Sequence, residues 1–227
     1  MNIPDAGSKA AVVEAMFDRI APRYDLMNRL MTFGMDRFWR RQAVQALALP
    51  PGSRALDLAC GTGDFCAELA RIGVGVVGLD FSAAMLRVAG PRSTGATLVR
   101  ADALRLPLHD QSFDAVVSGF ALRNFANLED PFRECFRVLK SGGKIALLEV
   151  DTPTSSLLRV GHRAYFHHLV PLIGRLIDHE AYSYLPASTE YLPDEALLLE
   201  MLARVGFRGL KKRRLLAGAV QLISASR

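Results

Sequence analysis

The chain is poor in cysteine. Cys60, Cys66 and Cys135 are the three in 227 residues, an odd number without a C-x-x-C pair. That excludes a disulfide framework and fits reduced thiols in a cytosol. No His or Cys stands beside them at the spacing of a structural zinc site. A Pro/Gly/Ser-rich linker and internal repeats are also missing, so nothing divides a length that suits one well-buried domain. The opening Met1–Asp5 lacks both a basic n-region and an apolar h-region, an expectation against secretion. No long hydrophobic run is free of charge. The most apolar stretch, Leu157–Ile177, carries Arg159, Arg163 and Arg175 together with His162, His167 and His168. Three arginines at about 2.5–3.5 kcal/mol each near the bilayer centre exclude a spanning helix. The expectation is an amphipathic helix covering a pocket, with contact to a membrane surface as the alternative.

What remains is globular in composition, with 50% hydrophobic and 22% charged residues. The net charge of +5 is modest. It is densest over Arg204, Arg208, Lys211, Lys212, Arg213 and Arg214, with no acid between them. A solvated strand is the expectation there, and attraction to anionic lipid headgroups the alternative. Nucleic acid is not expected as a partner, because no binding module accompanies the basic run.

Residues 9–47 read as three helical pieces. Val12, Val13, Met16, Phe17 and Ile20 recur at helical spacing, and Pro22 ends that piece. Tyr24–Met31 and Asp36–Leu47 follow, separated by Gly34. Met27, Met31 and Met35, spaced by four, suggest one core stripe or an adaptable apolar channel. After Pro50-Pro51-Gly52 the pattern changes to alternating strands and helices. Strands are expected at 55–58, 74–79, 97–100, 113–118 and 144–150, with helices at 65–71, 83–89 and 131–139. Ser141-Gly142-Gly143 is expected to separate the last helix from the fifth strand. Such alternation indicates a parallel sheet covered on both faces. A long helix near 155–177 and another at 194–204 precede two closing strands, about 209–216 and 220–225. An antiparallel pair there departs from the all-parallel dinucleotide fold.

The central motif is Asp57-Leu58-Ala59-Cys60-Gly61-Thr62-Gly63-Asp64, where a strand runs into two glycines and then a helix. Gly61 and Gly63 let backbone approach a ligand that a side chain would exclude. Asp57 can sit near a cationic end of that ligand. Asp80, seventeen residues after Gly63, ends the second strand, where an acid can accept both ribose hydroxyls of an adenosine moiety. A dinucleotide fingerprint needs its third glycine where Cys66 stands, and no Gly-Lys-Ser/Thr of a triphosphate loop occurs. Flanking acids suit ammonium and sulfonium charges better than a pyrophosphate, which points to S-adenosylmethionine. Asp102-Ala103 follows the third strand, where the acid could meet an adenine amino group; a surface turn is the alternative. Ser118 ends the fourth strand beside the expected transfer point.

Several longer elements carry a family resemblance. Met16–Asn28, reading MFDRIAPRYDLMN, continues to Phe33-Gly34 and Trp39. Leu122-Arg123-Asn124-Phe125 follows the fourth strand, and Arg137–Gly143 leads to Leu148-Glu149. Tyr182–Ser188 and Pro193-Asp194 come later. Over nearly its whole length the sequence resembles the ubiquinone/menaquinone biosynthesis C-methyltransferases (UbiE/MenG). It departs from them at Asp36, at Val150-Asp151 and at Gln221 within Gly218–Ser224.

The resemblance implies a Rossmann-like class I methyltransferase: a mostly parallel seven-stranded sheet with a C-terminal antiparallel strand. Residues 1–50 would form a helical cap, 51–150 the cofactor-binding core, 151–190 a helical lid and 191–227 the closing helix and strands. It also implies methyl transfer to a ring carbon of a polyprenylated quinol, either demethylmenaquinol or 2-methoxy-6-polyprenyl-benzoquinol. Arg123 would supply charge near the reacting oxygen, with pairing to Glu129 as the alternative. Tyr24 and Asp25 would fold over the cofactor, Tyr24 and Asn124 helping to place the ring. His162, His167 and His168 do not share one helical face, and packing or surface roles are expected for them. Methylation of another small acceptor and a cofactor-binding scaffold without chemistry are the alternatives. The expected setting is cytoplasmic, peripheral to the inner membrane at most, with a homodimer or a biosynthetic complex compatible.

Overall fold

The computed structural model describes residues 6–93, 95–155, 159–161, 165, 188 and 191–227. Most of the expected helix near 155–177, the three histidines within it and most of Tyr182–Ser188 lie outside the described residues. Seven strands form one sheet in the order β3-β2-β1-β4-β5-β7-β6. They are β1 (Arg54–Leu58), β2 (Gly75–Asp80), β3 (Thr97–Arg100), β4 (Phe113–Gly119), β5 (Leu139–Val150), β6 (Arg208–Leu215) and β7 (Val220–Ser226). β7 runs antiparallel to both its neighbours, and every other pairing is parallel. The strand order reverses between β1 and β4. In open α/β sheets the crevice outside the carboxyl ends at such a reversal is where ligands bind.

The inner strands β1, β2 and β4 are largely apolar because both faces are covered, and the strands' period of two divides the core. Leu56, Val116, Ile145 and Leu147 enter one cluster with Phe132 and Leu198. Ala55, Ala115, Val117, Ala146 and Leu148 enter the other, with Trp39, Phe65 and Leu69. The helices supplying these partners are α3 (Asp36–Leu47), α4 (Asp64–Ala70), α6 (Glu129–Val138) and α7 (Glu195–Val205). α5 (Ala83–Ala89) starts at the expected cap, where Ser82 Oγ accepts the Met85 N–H at 3.1 Å. Asp194 caps α7 in the same way.

A third, smaller core lies under α1 (Ala6–Ile20) and α2 (Tyr24–Thr32), where Val13, Met16, Ile20 and Met27 meet Met85 of α5. The methionine stripe is not continuous. Phe33 ends α2 in a left-handed conformation, so Met27 and Met31 join the third core while Met35 packs on the second. Ser141-Gly142-Gly143 also differs from expectation, since β5 continues through it. The register jumps from Phe113–Leu139 to Ala115–Lys144, so the glycines form a bulge within the strand.

Arg208 to Arg214 of the basic run lie on β6, an edge strand, while Arg204 lies in the last turn of α7, and much of the strand's charge is spent internally. Lys212 Nζ is 2.9 Å from Asp151 and 3.0 Å from Glu195, and Arg214 lies 2.5 Å from Glu195. An edge carrying basic side chains resists pairing with another sheet. Among the described residues no helix is long and apolar enough to cross a membrane.

Cys66 stands where a dinucleotide fold has its third glycine, and the room for it comes from the sheet. A Cβ at Gly78 of β2 would lie 2.7 Å from Cys66 Sγ and 2.9 Å from Leu98 Cδ2. Gly78→Val is therefore expected to destabilise the fold by ~1–3 kcal/mol through overpacking, read as a lower urea midpoint at unchanged slope. An unmoved midpoint would show that α4 has room to withdraw.

Candidate functional site

A cavity of about 420 Å³ opens at the carboxyl ends of the strands around the reversal point, within the size range of small-molecule sites. Its floor is Ala59, Gly61, Leu79, Asp80 and Gly119. Ala101–Leu104 and Asn124–Ala126 form two walls, and α1 with Tyr24 closes the top. Two residues of the floor region break the backbone rule for L side chains: Ala59 at φ 55° and Phe120 at φ 60°. Such conformations cost ~1–2 kcal/mol each and cluster at working sites.

Asp80 is the last residue of β2 and is buried. Its Oδ2 accepts the Gly61 N–H at 2.8 Å and its Oδ1 the Ser82 N–H at 2.9 Å. One carboxylate thus fixes the loops leaving β1 and β2. Each oxygen keeps a further lone pair for a ligand hydroxyl. Burial raises its pKa against the opposing pull of these amides. Gly61 has φ 54°, and a Cβ built on it would meet nothing within 4 Å. Its backbone faces open space, as a ligand cradle requires. Gly63 serves a different purpose: a Cβ there would reach 2.0 Å from Ser93 Oγ, so its glycine lets the chain pack on the turn after α5.

Of the residues singled out in the sequence, Gly61, Asp80, Asp102, Ala103, Tyr24 and Asn124 line the cavity. Asp102 is at the exposed rim, its Oδ1 accepting the Leu104 N–H at 2.9 Å. Asn124 sits on a short 3-10 turn, its Nδ2 3.5 Å from the Phe120 carbonyl and its buried Oδ1 without a partner. Burial raises the Tyr24 phenol, so it stays protonated at neutral pH; a side-chain hydrogen bond to Asn28 opposes the shift. The Phe17 ring meets it edge-on, 6.0 Å between centroids.

The other singled-out residues are drawn into the scaffold. Asp57 turns away from the cavity, and its Oδ2 accepts from Cys66 N at 3.1 Å and Cys66 Sγ at 3.2 Å. Its other oxygen has no partner, and burial pushes its pKa up to about 7. Ser118 Oγ donates to the Leu58 carbonyl at 2.8 Å, tying β1 to β4. Thr62 Oγ1 donates to Asp25 at 2.5 Å, and Arg92 pairs with both Asp25 and Asp64. Asp25 thus braces the glycine loop from outside. Arg123 is buried and its guanidinium pairs with Glu149, not with Glu129. Glu129 lies 3.7 Å from Arg133 and 3.6 Å from Arg204. The three departures also lie outside the cavity wall. Asp36 pairs with Arg40 at 2.9 Å, Asp151 with Lys212, and Gln221 donates to the Val150 carbonyl at 3.0 Å.

Two charged groups beside the site were given no role from the sequence, although Glu149 belongs to a segment that carries the family resemblance. Glu149 belongs to β5, an otherwise apolar strand. Its buried carboxylate pairs with Arg123, and its Oε1 also accepts the Val150 N–H at 2.9 Å. Lys9 is a cation near the start of α1. Its Nζ donates to the Arg123 and Phe125 carbonyls at 3.1 and 2.8 Å and lies 3.8 Å above the Tyr191 ring. Burial lowers its pKa. Spacing along the chain could not have revealed what either one holds, because their partners are remote in sequence.

Charge in the cavity favours a cation. Glu14 and Arg100 cancel at 3.0 Å, leaving Asp80 and Asp102 among the lining residues. The open backbone at Gly61, the spare lone pairs of Asp80 and the orphaned Asn124 oxygen together fit a ligand with hydroxyl, amine and sulfonium groups.

A demethylmenaquinone methyltransferase of Roseiflexus castenholzii is 45% identical over 227 residues, covering 97% of this chain and 95% of that protein. A ubiquinone/menaquinone biosynthesis C-methyltransferase of Syntrophotalea carbinolica is 44% identical over 219 residues, covering 93% and 92%. Among solved structures, a possible histamine N-methyltransferase of Thermotoga maritima superposes with a TM-score of 0.65 at 19% identity, over 93% of this chain and 98% of that one. A putative methyltransferase of Haloferax volcanii, in complex with the Trm112 activator, gives 0.66 at 17%, over 92% and 96%. These structural likenesses speak to the fold. The profile of the ubiE/COQ5 methyltransferases matches residues 5–226, and the chain belongs to that family.

Proposed function

We propose that the protein is an S-adenosylmethionine-dependent C-methyltransferase acting on the ring of a polyprenylated quinol, demethylmenaquinol or 2-methoxy-6-polyprenyl-benzoquinol. In this reading residues 1–50 cap the cofactor core and 151–190 form its lid. The observation that carries it is Asp80, a buried carboxylate at the end of β2 holding the open Gly61 backbone in a cavity whose uncancelled charge is negative. The names of relatives at 44–45% identity supply the substrate class.

S-adenosylmethionine supplies an electrophilic methyl group on a sulfonium. The residues proposed to hold it are Asp80 at the ribose hydroxyls, Asp102 at the adenine amino group with Ala103 beside it, and the backbone from Ala59 to Gly61. Thr62, Gly63, Asp57 and Ser118 act one layer out, fixing the strand ends and the first turn of α4. The chain's task toward the acceptor is placement. A quinol ring carbon gains electron density as its hydroxyl loses a proton, so the site must orient the ring, exclude water and favour the phenolate. Tyr24, protonated by burial, donates a hydrogen bond to the ring's oxygen, and Asn124 Oδ1 accepts one from its hydroxyl. Arg123 is a positioning residue. Its ion pair with Glu149 fixes the turn that aims Asn124 inward, and Lys9 holds the same turn from above. Ala10, Ala11, Val13 and Phe17 give the apolar wall an aromatic ring needs.

Incubation with methyl-labelled S-adenosylmethionine and a short-chain demethylmenaquinol should place label on the ring carbon; transfer only to an amine or an unrelated phenol would overturn the acceptor class. Asp80→Asn should weaken S-adenosylmethionine binding about 10- to 100-fold by calorimetry, the worth of a charged hydrogen-bond pair. Unchanged affinity would remove Asp80 from the ribose role.

The Asp57 carboxyl generates a pH dependence. Its pKa of about 7 lies above the value of 3.8 for the free group, so the folded state holds that proton more tightly than the unfolded chain. The stability gained is complete below the unfolded value and is lost as pH rises through the folded one. Asp57→Asn should flatten the melting temperature between about pH 4 and 7; a variant that keeps the native slope would show that other groups set it.

A further inference from the structure

The described chain is sparing with large exposed apolar side chains, yet four of its eight cluster on one surface. Leu26, Leu30 and Phe38 are each about half exposed, and Phe33 is 74% exposed. They follow helical spacing along the outer side of α2 and across the turn into α3. The inner side of α2 carries Tyr24, which lines the cavity, and the buried Met27.

Charge on this surface has one sign. Asp25 and Asp36, the acids between residues 23 and 41, both turn inward, to Arg92 with Thr62 and to Arg40. Arg23 and Arg37 stay exposed and make no ion pair among the described residues. Phe33 adds a second peculiarity. It caps α2 with φ 52°, a conformation that disfavours bulky residues, and in return it buries little. Tyr165 approaches the inner edge of the face, donating to the Met31 carbonyl with its ring 6.3 Å from Phe33, and Phe33 remains exposed beside it.

We propose that the outer face of α2 and the start of α3 dock on an anionic lipid surface. Leucine and phenylalanine flanked by unpaired arginine is the composition of an interfacial helix, in which apolar side chains enter the acyl boundary and cations meet lipid phosphates. A twofold contact with a second copy would set the same arginines close to one another with no acid on the face to balance them. The surface is distinct from the basic strand β6, whose Lys212 and Arg214 are already paired. Docking this way brings the cavity-lining helix against the bilayer, where a polyprenyl acceptor resides; the docking itself does not depend on the proposed reaction.

Flotation with vesicles tests it without any turnover. The protein should float with phosphatidylcholine vesicles containing phosphatidylglycerol, bind phosphatidylcholine alone far less, and be released by high salt. Leu30→Ser with Phe33→Ser should weaken binding at least about tenfold, at an unchanged melting temperature. Arg23→Gln with Arg37→Gln should weaken it about 30-fold on the anionic vesicles alone. No flotation of the unaltered protein, or flotation indifferent to both pairs, overturns the proposal. So does a fall in melting temperature on removing Leu30 and Phe33, which would mean that the chain itself covers the patch. A dimer that dissociates on the same substitutions would assign the face to a second copy.

Discussion

Everything at the site rests on one carboxylate gripping two amides. Asp80 ends β2, and its two oxygens hold Gly61 from the neighbouring strand's loop and Ser82 from its own. Without that grip the β1 loop would have no reason to keep Gly61 open toward the cavity. The arrangement is costly, since burial works against the carboxylate's charge, and it is offset only because both oxygens are hydrogen-bonded. Ser118 performs a related task between β1 and β4 with a neutral hydroxyl. The strand ends thus become a rigid platform before any ligand arrives.

Besides the Glu14–Arg100 pair with β3, the N-terminal helices engage three loops of this platform. Asp18 of α1 accepts from Ser82 Oγ at 2.5 Å and Ala84 N at 3.2 Å, gripping the loop after β2. Asp25 of α2 grips the loop after β1 through Thr62 and Arg92. Lys9 grips the turn after β4 through two carbonyls. Each of these contacts is charge-assisted, the stronger kind of hydrogen bond. The cap is thereby positioned by polar contacts at its edges, while the small apolar core with Met85 supplies the burial beneath it.

Periodicity and turn chemistry made most of the fold legible. The apolar runs of β1 to β4 and the Ser82 cap could be read because local sequence dictates them. Gly142-Gly143 misled because a bulge inside a strand and a loop between elements share the same residues; only pairing with β4 distinguishes them. Of the residues that line the cavity, Asp80 and Gly61 could be placed from position relative to strand ends, and Tyr24 only through the family resemblance. Asp57 was not, because the same strand-end acid can face a ligand or the following helix, and Cys66 decided the matter. Arg123 drew notice for its charge, but its partner Glu149 stands 26 positions away on β5. Lys9 was invisible for the same reason.

That remoteness bears on how the chain is made. Lys9 bonds residues 114 and 116 positions further on. At ribosomal speeds of ~5–20 residues per second, the first helices wait on the order of 6–25 s for the turn they will hold. Closing so long a loop comes late in folding. The apolar side of the cap helices finds Met85 of α5 sooner, so a nascent chain can bury that side first and secure the Lys9 end last.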